Sequence, residues 1–207
     1  MKILMICGSP RENGCTYTAL CEVAKAIEAE GIECEMFHIG ASVPGCTGCG
    51  ACRKEKASRC VIGDKVNIAI EKMEQCDGLI VGSPVYFAGI NGTLKAFLDR
   101  MFYAGGGRFA LKPAASLVSA RRAGTTAALD QLNKYFFYAQ MPIATSQYWN
   151  MVHGNRPEEV EQDFEGLQIM RTLGKNMAWL LKSIQAGSAA GIGLPEKEKR
   201  VGTNFIR

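Results

Sequence analysis

Apolar residues fall along this chain in two alternating periods. Lys2 to Cys7 is a short apolar run closed by Gly8-Ser9-Pro10, the pattern of a buried strand running into a loop. Beyond Asn13-Gly14, residues Leu20, Val23, Ala24 and Ile27 recur at the i, i+3, i+4, i+7 spacing of a helix with one buried face, and Gly31 stops it. Cys34 to Ile39 predicts a second strand. Gly40 to Cys60 is rich in Gly and Cys, lacks apolar periodicity and is too long for an ordinary connection. A helix is expected from about Asp64 to Gln75, then a buried third strand, Gly78 to Gly82, ended by Ser83-Pro84. Leu94, Phe97, Leu98 and Met101 mark the next helix, closed by Gly105-Gly106-Gly107. Ala114 to Ala120 is a fourth strand with Arg121-Arg122-Ala123-Gly124 as its outgoing loop. A helix through Leu129, Leu132 and Phe136 leads to a fifth strand near Pro142 to Tyr148. One long helix is expected from Pro157, with Glu158 and Glu159 at its positive end and Val160, Phe164, Leu167, Met170, Leu173, Met177, Leu181 and Ile184 as its face. No internal repeat interrupts the pattern.

Strands alternating with helices imply an α/β fold: a five-stranded parallel sheet, doubly wound, with helices on both faces. The 207 residues suit one domain, which buries about 70% of the surface its unfolded chain exposes. We expect that domain over 1–186, with the Cys-rich loop at 40–60, and a C-terminal arm over 187–207 lying on its own domain or on a partner. At 47% hydrophobic and 21% charged residues, disordered, collagen-like and membrane classes fall away. The opening apolar run is too short for a signal peptide, so a cytoplasmic protein is expected. Charge adds little: 24 bases against 20 acids are scattered, which disfavours nucleic acid and suits a small anionic cofactor. Nine cysteines, an odd number, point to metal or redox chemistry rather than a complete disulfide framework.

In a doubly wound sheet, ligands sit beyond the carboxyl ends of the strands where the winding reverses. The loop after strand one, Ser9 to Thr16, opens a helix, so backbone N–H groups and the helix dipole can face a phosphate. The Ser9 and Thr16 hydroxyls and the Arg11 guanidinium complete such a cradle. The competing reading is a plain turn, with Thr16 a helix cap and Arg11 solvated. The chain has no Gly-Lys-Ser/Thr phosphate loop, no G-x-G-x-x-G after strand one, and C-x3-R where cysteine phosphatases carry C-x5-R. Cys7 is therefore read as a small buried hydrophobe. The loop Ser83 to Gly89 offers an aromatic edge against which a planar ring can lie, although loop aromatics also serve as core plugs or interface contacts.

Gly8-Ser9-Pro10-Arg11, Gly14-Cys15-Thr16, Gly82-Ser83-Pro84-Val85-Tyr86-Phe87 and Leu94-Lys95-Ala96-Phe97-Leu98-Asp99-Arg100 together resemble the flavodoxin-like, NADPH-dependent FMN reductase family, most specifically in the first half of the chain. The resemblance implies strand order 2-1-3-4-5. It also implies an FMN phosphate on Ser9, Arg11, Asn13, Gly14, Cys15 and Thr16, and its isoalloxazine ring on Pro84, Val85, Tyr86 and Phe87. Residues Ser119 to Gly124 form a weaker third contact. No side chain is assigned as a catalytic acid or base.

Cys46, Cys49, Cys52 and Cys60 form C-x2-C-x2-C-x7-C with no histidine inside, and four thiolates so close repel unless a cation or cluster shares the charge. Zinc, a 4Fe-4S cluster and no metal all remain open on spacing alone. The motif resembles that of iron-sulfur flavoproteins, which implies a 4Fe-4S cluster. Cys21, Cys34 and Cys76 read as packing residues, and His38 and His153 as ordinary hydrogen-bonding groups. The run Tyr135 to Tyr138 is wider than one core stripe and marks an oligomer contact. By resemblance the chain takes electrons from NAD(P)H or reduced ferredoxin and passes them through FMN to a small acceptor such as a quinone or flavin, as a homodimer or homotetramer. The alternative is an FMN and iron-sulfur electron carrier that turns over no small substrate.

Overall fold

The computed structural model describes residues 1–54, 59–199, 201–203 and 205. Its central strand is β1 (Lys2–Cys7), in parallel register with β2 (Glu33–His38) on one side and β3 (Gly78–Tyr86) on the other. Beyond β3 lie β5 (Ala114–Ala120) and β6 (Met151–His153), so the parallel order is β2-β1-β3-β5-β6, the 2-1-3-4-5 order expected. A two-residue strand, β4 (Gly89–Ile90), folds back antiparallel on the end of β3.

The near-continuous apolar runs are explained by burial on both faces. Ile3, Met5, Cys7, Ile80 and Leu117 face α1 (Cys15–Glu28) and α7 (Phe164–Ala189), whereas Leu4, Ile6, Leu79, Val81 and Val118 face α3 (Lys65–Glu74), α4 (Gly92–Gly105) and α5 (Thr125–Tyr138). On the first face α1 and α7 approach closely at Gly174, where a Cβ would lie 2.7 Å from both the Val23 carbonyl oxygen and Ala26 Cβ. The Cys-rich stretch carries one turn of helix, α2 (Ala51–Lys54), and residues 55–58 of it lie outside the described residues.

Three expectations are corrected. Strand β3 does not stop at Ser83-Pro84 but pairs Ser83 with Val118 and Pro84 with Ser119 and runs on to Tyr86. Proline is tolerated there because residues alternate in direction along the strand. Gly82 accepts from Gly8 on the β1 side, so Pro84 points to the same side, where β1 has already turned away and needs no donor.

The fifth strand is Met151–His153 rather than 142–148. Near its expected place only Ile143 bridges to Ala114. Between them Ser146 Oγ bonds the Tyr148 carbonyl and Asn150 Oδ1, and Asn150 Nδ2 donates to the Ser116 carbonyl at 2.9 Å, so polar side chains displace the backbone ladder.

The single long helix is two: α6 (Pro157–Val160) and α7, separated where Asp163 accepts from the backbone N–H of Gly166 at 2.9 Å and of His153 at 2.6 Å. Phe164, the first residue after that cap, is consequently exposed, as is Ile184, while α7 continues to Ala189.

Candidate functional site

The winding reverses between β1 and β3, and it is beyond the carboxyl ends of the strands at such a reversal that a doubly wound sheet places its ligand crevice. Gly8 N–H extends the ladder by one bond to the Gly82 carbonyl at 2.9 Å, after which the chain leaves the sheet. Ser9 is buried, and its Oγ accepts the Arg11 backbone N–H at 3.1 Å, which bends the loop and leaves Pro10, Arg11, Glu12 and Asn13 exposed. Helix α1 then starts from Gly14, which is extended and supplies no side-chain cap. The first-turn N–H groups of a 14-residue helix are thus left without a capping side chain, at the positive end of its dipole.

Thr16 is not the cap that the plain-turn reading requires. Its buried Oγ1 lies 2.8 Å from Ser119 Oγ at the end of β5, tying the first loop to the third. Cys15 Sγ bonds the Gly154 carbonyl at 3.6 Å beyond β6, and burial pushes its thiol up, keeping it neutral. An uncapped helix start beside a buried serine and an exposed arginine fits a phosphate monoester.

The second loop is a hairpin. Ser83 Oγ, fully buried, donates to the Pro84 carbonyl at 2.9 Å and accepts the Asn91 N–H at 3.1 Å; Asn91 in turn caps α4 through Thr93 and Leu94. Val85 pairs with Ile90 and Tyr86 with Gly89, leaving Phe87-Ala88 as the two-residue turn. Both have positive φ, 49° and 59°, where Asn-Gly is the usual occupant. Phe87 is wholly exposed and Tyr86 half-exposed, so neither is a core plug. The third loop abuts this turn at Gly124, whose φ is 91° and whose added Cβ would lie 2.7 Å from Ala88 Cα. The structure thereby brings the first two proposed segments and Ser119 to Gly124 to one rim. The Thr16–Ser119 bond and the Gly124–Ala88 contact were not foreseen. The only hint of either was the paired small and hydroxyl residues at two strand ends.

The cysteine pocket is separate from this crevice. Cys46 and Cys49 are exposed and Cys52 and Cys60 half-buried; all four line one pocket with Val61, Ile62, Arg100 and Tyr103. Gly48 and Gly50 turn the loop with φ of 69° and 70°. Burial first, then the neighbouring sulfurs of Cys60, Cys46 and Cys49, push the Cys52 thiol up. Among the described residues no three His, Cys, Asp or Glu side chains form a group that could hold a metal ion as they stand. The donor set, four soft sulfurs around one cavity, suits a polynuclear iron-sulfur group in kind. A single zinc would need sulfurs drawn to about 3.8 Å of one another by its 2.3 Å bonds. Arg100, which sequence reasoning placed only in a family motif, is fully enclosed against this pocket. Burial works against its charge, and hydrogen bonds to Asp64 and Cys60 outweigh that.

The family model described as NADPH-dependent FMN reductase matches residues 1–156. The chain belongs to this family. Among its relatives, an iron-sulfur flavoprotein of Methanocaldococcus jannaschii is 33% identical over 194 residues, covering 89% of this chain and 100% of the relative. An iron-sulfur flavoprotein of Methanosarcina thermophila is 29% identical over 191 residues, covering 89% and 97%. In fold the chain is similar to RosB, solved with 8-demethyl-8-formylriboflavin-5'-phosphate, at a TM-score of 0.69 with 16% identity over 100% of this chain and 93% of that one. It is also similar to an archaeal flavodoxin at 0.60 with 14% identity over 88% and 99%. It is thus a flavodoxin-like, FMN-binding oxidoreductase. Among the described residues no helix is long and apolar enough to cross a membrane.

Proposed function

We propose that this protein holds the FMN phosphate at the uncapped start of α1, on Ser9, Arg11, Asn13, Gly14, Cys15 and Thr16, and the ring against Pro84, Val85, Tyr86 and Phe87. The observation that carries the reading is the helix start without a capping side chain at the reversal of winding. When bound, FMN supplies the redox chemistry, accepting a hydride or single electrons. The protein anchors the phosphate, orients the ring through a hairpin fixed by Ser83 and Asn91, and leaves one aromatic edge open to a partner molecule. No protein acid or base is needed for a hydride to reach a flavin, and we assign none.

We read the electron source as NAD(P)H or reduced ferredoxin and the acceptor as a small molecule such as a quinone or flavin, in a cytoplasmic homodimer or homotetramer. We read the FMN domain as running past the expected boundary at 186 to the end of α7 at Ala189, with the arm beginning after it; residues 200, 204, 206 and 207 of that expected arm lie outside the described residues. Cys46, Cys49, Cys52 and Cys60 are read as ligands of a 4Fe-4S cluster. The shared pocket supports this, as does the similarity to the Methanocaldococcus relative, an iron-sulfur flavoprotein. A second reading, an electron carrier without small-substrate turnover, draws on the same pocket. Anaerobic purification followed by assay of quinone or free-flavin reduction with NADH, NADPH and reduced ferredoxin as donors separates the two. Turnover with any of them supports the oxidoreductase reading, and an FMN-loaded protein that reduces no small acceptor with all three supports the carrier.

A further inference from the structure

Against the cysteine pocket the enclosed Arg100 pairs with the half-buried Asp64, and every guanidinium donor is directed. The Arg100 side chain is 0% exposed. One terminal nitrogen, Nη1, bonds Asp64 Oδ2 at 2.6 Å and the Pro44 carbonyl at 3.2 Å, and the other, Nη2, bonds Asp64 Oδ1 at 2.9 Å and the Ile62 carbonyl at 3.1 Å. The remaining donor, Nε–H, points at Cys60 Sγ at 3.3 Å. Cys60 is gripped elsewhere too: its N–H donates to Asn67 Oδ1 at 2.9 Å and its carbonyl accepts from Asn67 Nδ2 at 2.8 Å. Four of the five guanidinium N–H groups meet oxygen, and the fifth meets sulfur. A neutral thiol is a weak acceptor, whereas a thiolate matches a buried cation.

We propose that Arg100 is a positioning residue for the group held by the cysteine loop: its Nε–H bonds the Cys60 thiolate, and its buried charge favours the more reduced, more negative state of that group. The inference rests on reading the four cysteines as 4Fe-4S ligands. One electron added to such a cluster takes it from the 2+ to the 1+ core with no proton. A fixed positive charge hydrogen-bonded to one ligand stabilises the added negative charge, while Asp64 partly offsets it.

The test is a dithionite titration of the anaerobically reconstituted full chain, with the midpoint potential read from the EPR signal of the reduced cluster and iron and sulfide counted. At the wild-type midpoint, Arg100→Gln should raise the oxidised-to-reduced ratio about tenfold, a fall of about 59 mV for a one-electron couple. Arg100→Lys keeps the charge, loses the planar fork and should shift the potential less. Asp64→Asn can still cap α3 at Val66 N–H and bond Arg100, and should move the potential the opposite way. A loaded Arg100→Gln cluster at the wild-type potential overturns the inference alone. If neither Arg100 variant folds, an Asp64→Asn potential that is unshifted or lowered overturns it. A wild-type chain that takes up no iron and sulfide overturns the cluster reading and this inference with it.

Discussion

The turn between β3 and β4 sets stability against binding, and replacing Phe87-Ala88 by Asn-Gly exposes that opposition. A non-glycine residue in the left-handed region costs about 1–2 kcal/mol, and here two neighbours occupy it with φ of 49° and 59°. Asn tolerates the first position better and Gly removes the Cβ conflict at the second, although Gly returns part of that gain as entropy of the unfolded chain. The net relief should be about 1.5 kcal/mol. Because the Phe87 ring is wholly exposed, its loss leaves no cavity to subtract. For a chain of this size, thermal melts of the flavin-free protein should then rise by about 3–6 °C. If Phe87 stacks on the flavin, the same variant loses about 1 kcal/mol of aromatic contact and binds FMN about fivefold more weakly, read by quenching of flavin fluorescence. A variant that melts lower than the parent refutes the strain argument, and one that melts higher with unchanged FMN affinity refutes the role given to Phe87.

Three further expectations follow from the same geometry. Gly124→Ala places a Cβ against the Ala88 backbone at a φ of 91°, so it should cost more than about 1 kcal/mol in melts and weaken FMN binding together; an unchanged melt contradicts the packing described. Thr16→Val strands the buried Ser119 hydroxyl at a cost of about 1–3 kcal/mol, while the double variant with Ser119→Ala should recover part of it; strict additivity in that cycle would deny the bond. Glu35 is held below the usual carboxylate range by hydrogen bonds from Lys2 and then Lys72. A folded-state value below the unfolded one, about 4.3, contributes stability at neutral pH that is lost as pH falls through that range toward the lower folded value. Glu35→Gln should therefore flatten the acid limb of stability below about pH 4.3, and denaturant melts at pH 7 and pH 3 showing an unchanged difference would contradict this.

The sheet was legible because parallel strands buried on both faces are nearly continuous apolar runs: Ile3 to Cys7 is one, and Ala114 to Ala120 departs only at Ser116 and Ser119, whose hydroxyls bond Asn133 and Thr16. Legibility failed at the edge and at breaks decided by single side chains. The fifth strand was misplaced because Ser146 and Asn150 divert a β-like segment, and the last helix was joined across Asp163 because a cap looks like any surface acid in an apolar period. At Pro84 the usual breaker rule gave way to the position of β1, which no local window contains. In the site, the loop after β1 and the aromatic hairpin announced themselves by composition. The Thr16–Ser119 bond spans 103 residues and the Arg100–Cys60 contact 40, and such pairings arise only when the sheet and helices assemble.

The central claim is that the start of α1 grips a phosphate. The most direct measurement is a paired titration of flavin-free protein with FMN and with riboflavin, which differs by lacking the phosphate. Two charge-assisted hydrogen bonds at about 1.5 kcal/mol each correspond to about 100-fold tighter binding of FMN. That preference should shrink in Arg11→Gln. Equal affinities for FMN and riboflavin would contradict the account.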